Sequence, residues 1–312
     1  MINGILNINK PEGISSAKTV SKIKEILKLK KVGHTGTLDP FATGILIICI
    51  NRATKIAQYL SNLDKEYIAT MVLGITTDTQ DLKGKVLRIK TANTKRLEFT
   101  EIKKVFKSFR GDIWQKPPMF SAIKYKGMRL YNLARKGIQI DLALRKAKIY
   151  QLSIMHIRYD RYPSITFRVR CSKGTYIRTL CHDIGQSLGF GAHVIHLKRI
   201  GIGNHTINQS IDLDKFLKLP YKEKQSHILS IDQALSHLKK MVLSESNEIV
   251  DKVKNGGYFS EQDISKVIPA DNITLHEKFR IYSSDGHLLA LAKRSAESSE
   301  NLNTYKVEKV FL

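Results

Sequence analysis

The sequence predicts an α+β fold, and three features carry the prediction. The short, wholly apolar run Ile45-Leu46-Ile47-Ile48-Cys49-Ile50 reads as a buried strand. Residues Ser164 to Cys171 alternate strictly, which sets Ile165, Phe167, Val169 and Cys171 on one face of a second strand. Helical periods lie between such runs. Val20, Ile23, Ile26 and Leu27 share one face of a helix that Ser16 caps and that runs to about Lys30, with lysines on the other face.

The remaining elements follow in order. Tyr67 to Leu73 reads as a strand, and Thr76 to Asp81 as a polar loop before Gly84. Residues 100–110 form a short basic helix, and Ile149 to Tyr159 a strand. After Cys171 the chain breaks sharply at Ser172-Lys173-Gly174. Thr175 then opens a helix with Tyr176, Leu180, Ile184 and Leu188 on its core side. That places Arg178 in the first turn, where the helix dipole disfavours a cation, so Arg178 requires an anionic partner. A helix beginning near Glu223 closes at Lys239-Lys240, and the domain boundary falls just after it, giving domains 1–240 and 241–312. In the tail, Arg280 to Tyr282 and His287 to Ala292 flank Ser284-Asp285-Gly286, a hairpin signal. Ser295 to Asn303 reads as a flexible polar loop.

The chain has 312 residues and a net charge of +24, unevenly spread. Residues 1–240 hold 43 Lys and Arg against 17 Asp and Glu, whereas residues 241–312 hold 9 against 11. A uniform compositional bias would charge both parts alike. A polyanion, nucleic acid first, is the expected partner of the basic part. Residues 112–140 add Trp114, Phe120, Tyr125 and Tyr131 interleaved with Lys116, Lys124, Lys126, Arg129, Arg135 and Lys136. Aromatics among cations suit base stacking with phosphate neutralisation. The same pattern also fits a partly buried hairpin and helix with a solvated basic face. The three cysteines lack metal spacing and read as small core residues, consistent with a reducing cytoplasm. No signal-peptide pattern and no run of about 18 apolar residues appears, so no membrane role is expected.

The stretch Gly33-His34-Thr35-Gly36-Thr37-Leu38-Asp39-Pro40-Phe41-Ala42-Thr43-Gly44 carries the chemistry. It sets one carboxylate, Asp39, in a stiff loop against the end of the apolar strand. A poorly solvated carboxylate is costly unless paired, and such costs cluster at functional sites. On chemistry alone Asp39 reads equally well as a turn residue before proline. A phosphate cradle is excluded, because Gly44 is followed by Ile45 and not by Lys-Ser/Thr.

This string resembles the central motif of the TruB-type tRNA pseudouridine synthases. Four further segments resemble that family in the same order: Asn9-Lys10-Pro11-Glu12-Gly13, Lys65-Glu66-Tyr67, Cys171 to Thr179, and Gly191-Ala192-His193-Val194 with Leu197-Lys198-Arg199. The resemblance covers residues 1–240. It implies a mixed-sheet catalytic domain with an inserted RNA-binding thumb at about 112–140, and it suggests a small C-terminal β domain related to PUA modules. The implied activity is isomerisation of the uridine at position 55 in the tRNA T loop, with the base flipped out of its stack. That reaction is redox-neutral, so no cofactor and no metal are expected. The implied partner is the T arm of tRNA, met by a cytoplasmic monomer.

By the same resemblance Asp39 is the nucleophile and Arg178 the guanidinium that keeps it charged. Tyr67 stacks on the flipped base and relays a proton. His34 fills the vacated stack, Lys10 supports the loop, and Leu197 walls the pocket. Tyr176, Lys124 and Arg129 contact the substrate RNA. Each has a plainer reading: Tyr67 and Leu197 as core, His34 as a turn residue, Lys10 and Arg178 as surface cations. Two other functions compete, a non-catalytic RNA-binding protein or tRNA folding chaperone, and a guide-dependent synthase. Pure binding gains nothing from a buried carboxylate facing a polyanion.

Overall fold

The structure, a computed structural model, describes residues 2–90, 97–269, 274–295 and 304–311. The predicted loop from Ser295 therefore lies, from residue 296 on, outside the described residues. The chain divides into two units. One is Asn7–Ile48 with Ala57–His227; the other is Met1–Leu6, Cys49–Ile56 and Ile228–Leu312.

The first strands are β1 (Gly4–Lys10), β2 (Val32–His34), β3 (Thr43–Ile50), β4 (Lys65–Leu73), β5 (Ile75–Thr77) and β6 (Val86–Ile89). Then come β7 (Gly111–Gln115), β8 (Lys124–Tyr125), β9 (Met128–Arg129), β10 (Arg145–Arg158), β11 (Ser164–Cys171), β12 (Ala192–Ile202), β13 (His205–Thr206), β14 (Ile211–Asp212) and β15 (Ile228–Leu229). The large mixed sheet runs β14-β1-β3-β12-β4-β11-β10-β7, with β2, β13 and β15 paired off this path. The β1–β14 and β3–β12 pairs are parallel, and β4–β12, β4–β11 and β10–β11 antiparallel.

Alternation along β4 turns Lys65, Tyr67, Ala69, Met71 and Leu73 to the buried face. Register continues that face sideways. Tyr67 stands opposite Val169 of β11 and Arg199 of β12, and Ala69 opposite Phe167 and Leu197. The core beneath includes Phe106 of helix Phe99–Ser108, whose ring meets Phe167 edge-on at 5.5 Å. β3 is buried from Ile45 to Ile50, as its apolar run predicts.

Three predicted boundaries are corrected. The first helix, α1 (Ser16–Ile26), is capped by Ser15, whose Oγ accepts from Lys18 N at 3.1 Å, and stops short of Lys30; Ile26 is exposed. Ser16 is inside the helix and bonds elsewhere, as described below. The helix after Gly174 spans Ile177–Ser187 with Tyr176 as its N-cap, so Tyr176 is not part of the helix's core face. No helix closes at Lys239-Lys240. A capping box at Ser230–Gln233 starts a single turn (Ile231–Ala234), and Lys239–Leu243 is a strand with Met241 and Leu243 buried. The lysines begin an alternating strand pattern that reads locally like the basic end of a helix.

In the second unit, strand Lys239–Leu243 joins Tyr258–Ser260, Ile264–Ile268, Lys278–Tyr282, Leu288–Arg294 and Thr304–Val310 in a six-stranded sheet. The expected hairpin at Asp285-Gly286 is present: Lys278–Tyr282 pairs antiparallel with Leu288–Arg294, and Gly286 takes φ +85°. Phe259 stacks on Tyr305, and with Ile249 and Val253 of helix Asn247–Lys254 they form this unit's core.

Residues 112–140 comprise edge strand β7, the two-residue hairpin β8–β9 and helix Leu130–Arg135. Lys126 and Gly127 both take positive φ at the hairpin tip, the backbone that a tight turn needs. Lys124 and Arg129 are direct cross-strand partners, and Trp114 is exposed. Cys49, Cys171 and Cys181 are free and buried, and burial pushes the Cys49 and Cys171 thiols up to about 12. No helix among the described residues is long and apolar enough to cross a membrane.

Candidate active site

The loop between β2 and β3 is held from three sides. Ser16 Oγ donates to Leu38 O at 3.0 Å and accepts from Leu38 N at 2.8 Å. Lys10 is fully buried, and its Nζ donates to Pro11 O and Ile14 O at 2.8 Å and to Pro40 O at 3.3 Å. Gly13 N donates to Pro40 O at 2.8 Å. On the third side Gly44, at φ +105°, leaves no room for a side chain: a Cβ there would lie 2.1 Å from Arg199 O. These contacts fix the backbone on both sides of Asp39.

Asp39 faces Arg178. Arg178 Nε lies 3.0 Å from Asp39 Oδ2, and Nη2 lies 3.4 Å from Oδ1, a side-on, two-pronged pairing. The rest of the guanidinium is also committed. Nη2 donates to Phe120 O at 2.7 Å, Nη1 donates to Thr79 O at 2.9 Å, and Nη1 lies 3.5 Å from Asp81 Oδ2. The anionic partner that the helix dipole demands is thus supplied twice. The Arg178 side chain is 5% exposed and that of Asp39 32%, so the carboxylate is open to a ligand while its counter-ion is not.

Asp81 is the carboxylate the sequence reading missed. Its Oδ1 accepts from Thr79 Oγ1 at 2.7 Å and from Lys83 N at 2.9 Å, which folds the Thr77–Gly84 turn around it. The available signal was an acid before Leu82-Lys83-Gly84, indistinguishable in sequence from any Asx turn. Arg199 was read only as part of a motif. It is fully buried on the active face of β12, donating from Nε to Ile45 O at 2.8 Å and from Nη2 to Gly36 O at 3.0 Å.

Burial raises the pKa of Asp39 above the usual carboxylate range; Arg178 and Lys10 oppose the rise, and Asp81 adds to it. Lys10 is lowered to about 8 by burial, although Asp39 pulls it back up. Tyr67, 9% exposed, is raised by burial, with the Arg199 guanidinium working against the rise. His34 is pushed down by burial, then by Arg199 and Arg129, and its Nδ1 accepts from Gly36 N at 3.3 Å. That bond fixes the neutral ring with its proton on Nε2.

Of the residues named from sequence, the structure gathers Arg178, Lys10 and Tyr67 within electrostatic reach of Asp39. Leu197, 7% exposed, lies one register step from Tyr67 on the same face. Tyr176 is half-buried at the helix N-cap, and Arg178 is among the charges acting on it. Arg129 reaches this group through its field on His34, whereas Lys124 stays exposed on the hairpin. No cluster of three or more His, Cys, Asp or Glu among the described residues is placed to hold a metal ion.

Against known families, residues 24–177 match the TruB family pseudouridylate synthase N-terminal domain, and residues 178–243 match the tRNA pseudouridylate synthase B C-terminal domain. The chain belongs to the TruB family of pseudouridylate synthases. A curated relative from Clostridium novyi, named tRNA pseudouridine synthase B, is 42% identical over the full length of both chains. One of the same name from Francisella philomiragia is 44% identical over 84% of each. Among solved structures, an H/ACA RNP bound to a substrate RNA containing 2′-deoxyuridine matches with TM-score 0.75 and 28% identity. A Cbf5-Nop10-Gar1 complex matches with TM-score 0.75 and 29% identity. Each covers 99% of this chain and 85% of the matched one. The mixed sheet, its helices and a separate small β unit are the architecture expected of this family.

Proposed function

We propose that this chain isomerises uridine to pseudouridine at position 55 in the T loop of tRNA, with Asp39 as nucleophile. The observation that carries the reading is the Asp39–Arg178 pair: an accessible carboxylate gripped side-on by a buried guanidinium. The reaction breaks the uracil N1–C1′ bond, turns the base, joins C5 to C1′ and moves the C5 proton to N1. An ionised carboxylate serves it by attack at C1′, by addition to the base, or by stabilising an electron-poor sugar. Its raised basicity suits each, because a carboxylate poorly stabilised by its surroundings is the stronger nucleophile and base.

The remaining residues fit the flipped-base reading. Tyr67 presents a ring beside Leu197 for the uracil to lie on, and its hydroxyl stays protonated through neutral pH. His34, within the field of Arg129, fills the stack that the flipped base leaves. Lys124, Arg129 and Tyr176 meet the RNA, and residues 112–140, with hairpin β8–β9, act as the thumb. The reaction needs no cofactor. The enzyme works as a cytoplasmic monomer without an obligate protein partner.

A guide-dependent synthase is the second reading, favoured by the solved neighbours, one an H/ACA RNP and the other a multi-protein Cbf5-Nop10-Gar1 complex. Full-length curated relatives at 42% identity favour the stand-alone enzyme. Incubating the purified chain with an unmodified tRNA transcript and mapping pseudouridine tests both. Modification at position 55 without added protein or guide RNA is expected; modification only with them would overturn the first reading.

A further inference from the structure

Gln115 ends the edge strand β7 and is 2% exposed. Both ends of its side-chain amide are spent on one residue. Nε2 donates to Tyr176 O at 3.1 Å, and Oε1 accepts from Tyr176 N at 3.0 Å. An amide side chain carries a donor and an acceptor side by side, so here it acts as a neighbouring strand would. Tyr176 is the N-cap of helix Ile177–Ser187, and its own side chain makes no capping bond. Tyrosine is not among the residues that favour this position. The start of the helix is therefore pinned from outside, by Gln115, two residues before Arg178.

We propose that Gln115 is a positioning residue for uridine isomerisation, clamping the N-cap of this helix so that the Arg178 guanidinium meets Asp39 side-on. The inference rests on the function proposed above. Its second support is the segment that follows Gln115. Pro117 and Pro118, both buried, stiffen the chain as far as Phe120, whose carbonyl accepts from Arg178 Nη2 at 2.7 Å. One short segment thus holds the helix backbone at one end and the guanidinium at the other. The geometry leaves little slack, since every nitrogen of the Arg178 guanidinium has a partner on the Asp39 loop, the Thr79–Asp81 turn or Phe120.

The test is single-turnover pseudouridine formation on a T-arm transcript, followed against pH beside RNA binding. Gln115→Met keeps the side chain's length and removes both bonds. Its rate should fall on the order of 30-fold, because small misplacements of reacting groups are costly. Its RNA affinity should stay within about threefold, because Gln115 is buried away from the RNA. The groups acting on Asp39 are Arg178 from the helix, Lys10 from β1 and Asp81 from the turn. Loosening Arg178 removes the largest influence that opposes burial, so the acid limb of the rate profile should move to higher pH. Gln115→Glu regains the donor when protonated, so its rate should gain on that of Gln115→Met as the pH falls. A residue with only a structural part would lower stability without moving the acid limb.

A Met variant at wild-type rate would overturn the clamp. So would a slowed variant with an unmoved acid limb and a Glu variant tracking it at every pH. If the Met variant does not fold, the ratio of Glu to wild type against pH carries the same test. A wild-type chain that forms no pseudouridine counts against the activity, and a deficit confined to the variants addresses the clamp.

Discussion

Arg178 Nε stands 3.0 Å from Asp39 Oδ2 in the candidate site, although both lie in settings that disfavour their charges. Asp39 is pushed toward neutrality by burial, and Arg178 occupies the positive end of a helix. The guanidinium is the largest influence holding Asp39 in its ionised form, and the carboxylate gives the cation at the helix start its anionic partner. The planar fork matters as well as the charge, because two atoms of the guanidinium meet two oxygens.

Arg178→Lys keeps the charge and loses the fork. The single-turnover rate is expected to fall about 100-fold, some 2.7 kcal/mol of transition-state stabilisation. RNA affinity should change little, since the guanidinium is buried. A rate within about threefold of wild type would show that charge alone suffices.

Asp81→Asn removes the second carboxylate from Arg178 and keeps an acceptor for Thr79 Oγ1 and Lys83 N. Two effects oppose. Arg178 loses an anchor, and Asp39 loses a repulsive neighbour that raises its pKa. The anchor acts on geometry, so the rate at neutral pH should drop about tenfold while the acid limb moves to lower pH. An acid limb that does not move would show that Asp81 does not act on Asp39.

What was legible in the sequence and what was not divide along physical lines. Strands with strict alternation, such as Ser164–Cys171, matched to the residue, because one buried face dictates the pattern. Arg178's need for an anion was legible because a helix end has a sign. Asp81 was not, because its partner lies across the fold and its local turn looks like any other. Gln115 was hidden for the same reason: the clamp is visible only when β7 and the helix start are side by side. The discontinuous second unit was equally out of reach, since nothing local ties Cys49–Ile56 to residues beyond Ile228. The helix expected to end at Lys239-Lys240 failed because two lysines end a helix or begin an exposed strand edge with equal ease.

Asp39→Asn should abolish turnover and spare the fold. A carboxyl whose folded pKa is raised binds its proton more tightly in the native state, so its charge costs stability once the pH exceeds the unfolded value. Replacing it with a neutral amide removes that cost but leaves Arg178 with Asp81 alone. A melting temperature equal to or above wild type at neutral pH is expected, with the difference shrinking as the pH falls toward the ordinary carboxylate range. A variant less stable than wild type at neutral pH, by a margin that persists in acid, would show that the loss is steric.

Lys10 supplies the last prediction, on the alkaline side. Its ammonium donates to three carbonyls, including Pro40 O next to Asp39, yet burial lowers its pKa to about 8. The sign follows from the direction of the shift. The folded state releases this proton as the pH rises through about 8, whereas the unfolded chain holds it to the ordinary lysine value of 10.5. A neutral amine has two hydrogens for three carbonyls and no charge to pair with Asp39, so the loop loosens as the proton leaves. Activity should therefore decline above about pH 8, while folding stability, relieved of a buried charge, does not decline with it. Lys10→Met should lose this alkaline limb and be slow throughout, with RNA binding retained. Measuring rate and melting temperature over the same pH range separates the two effects. A melt that weakens in step with the rate would assign the limb to unfolding and remove Lys10 from the account.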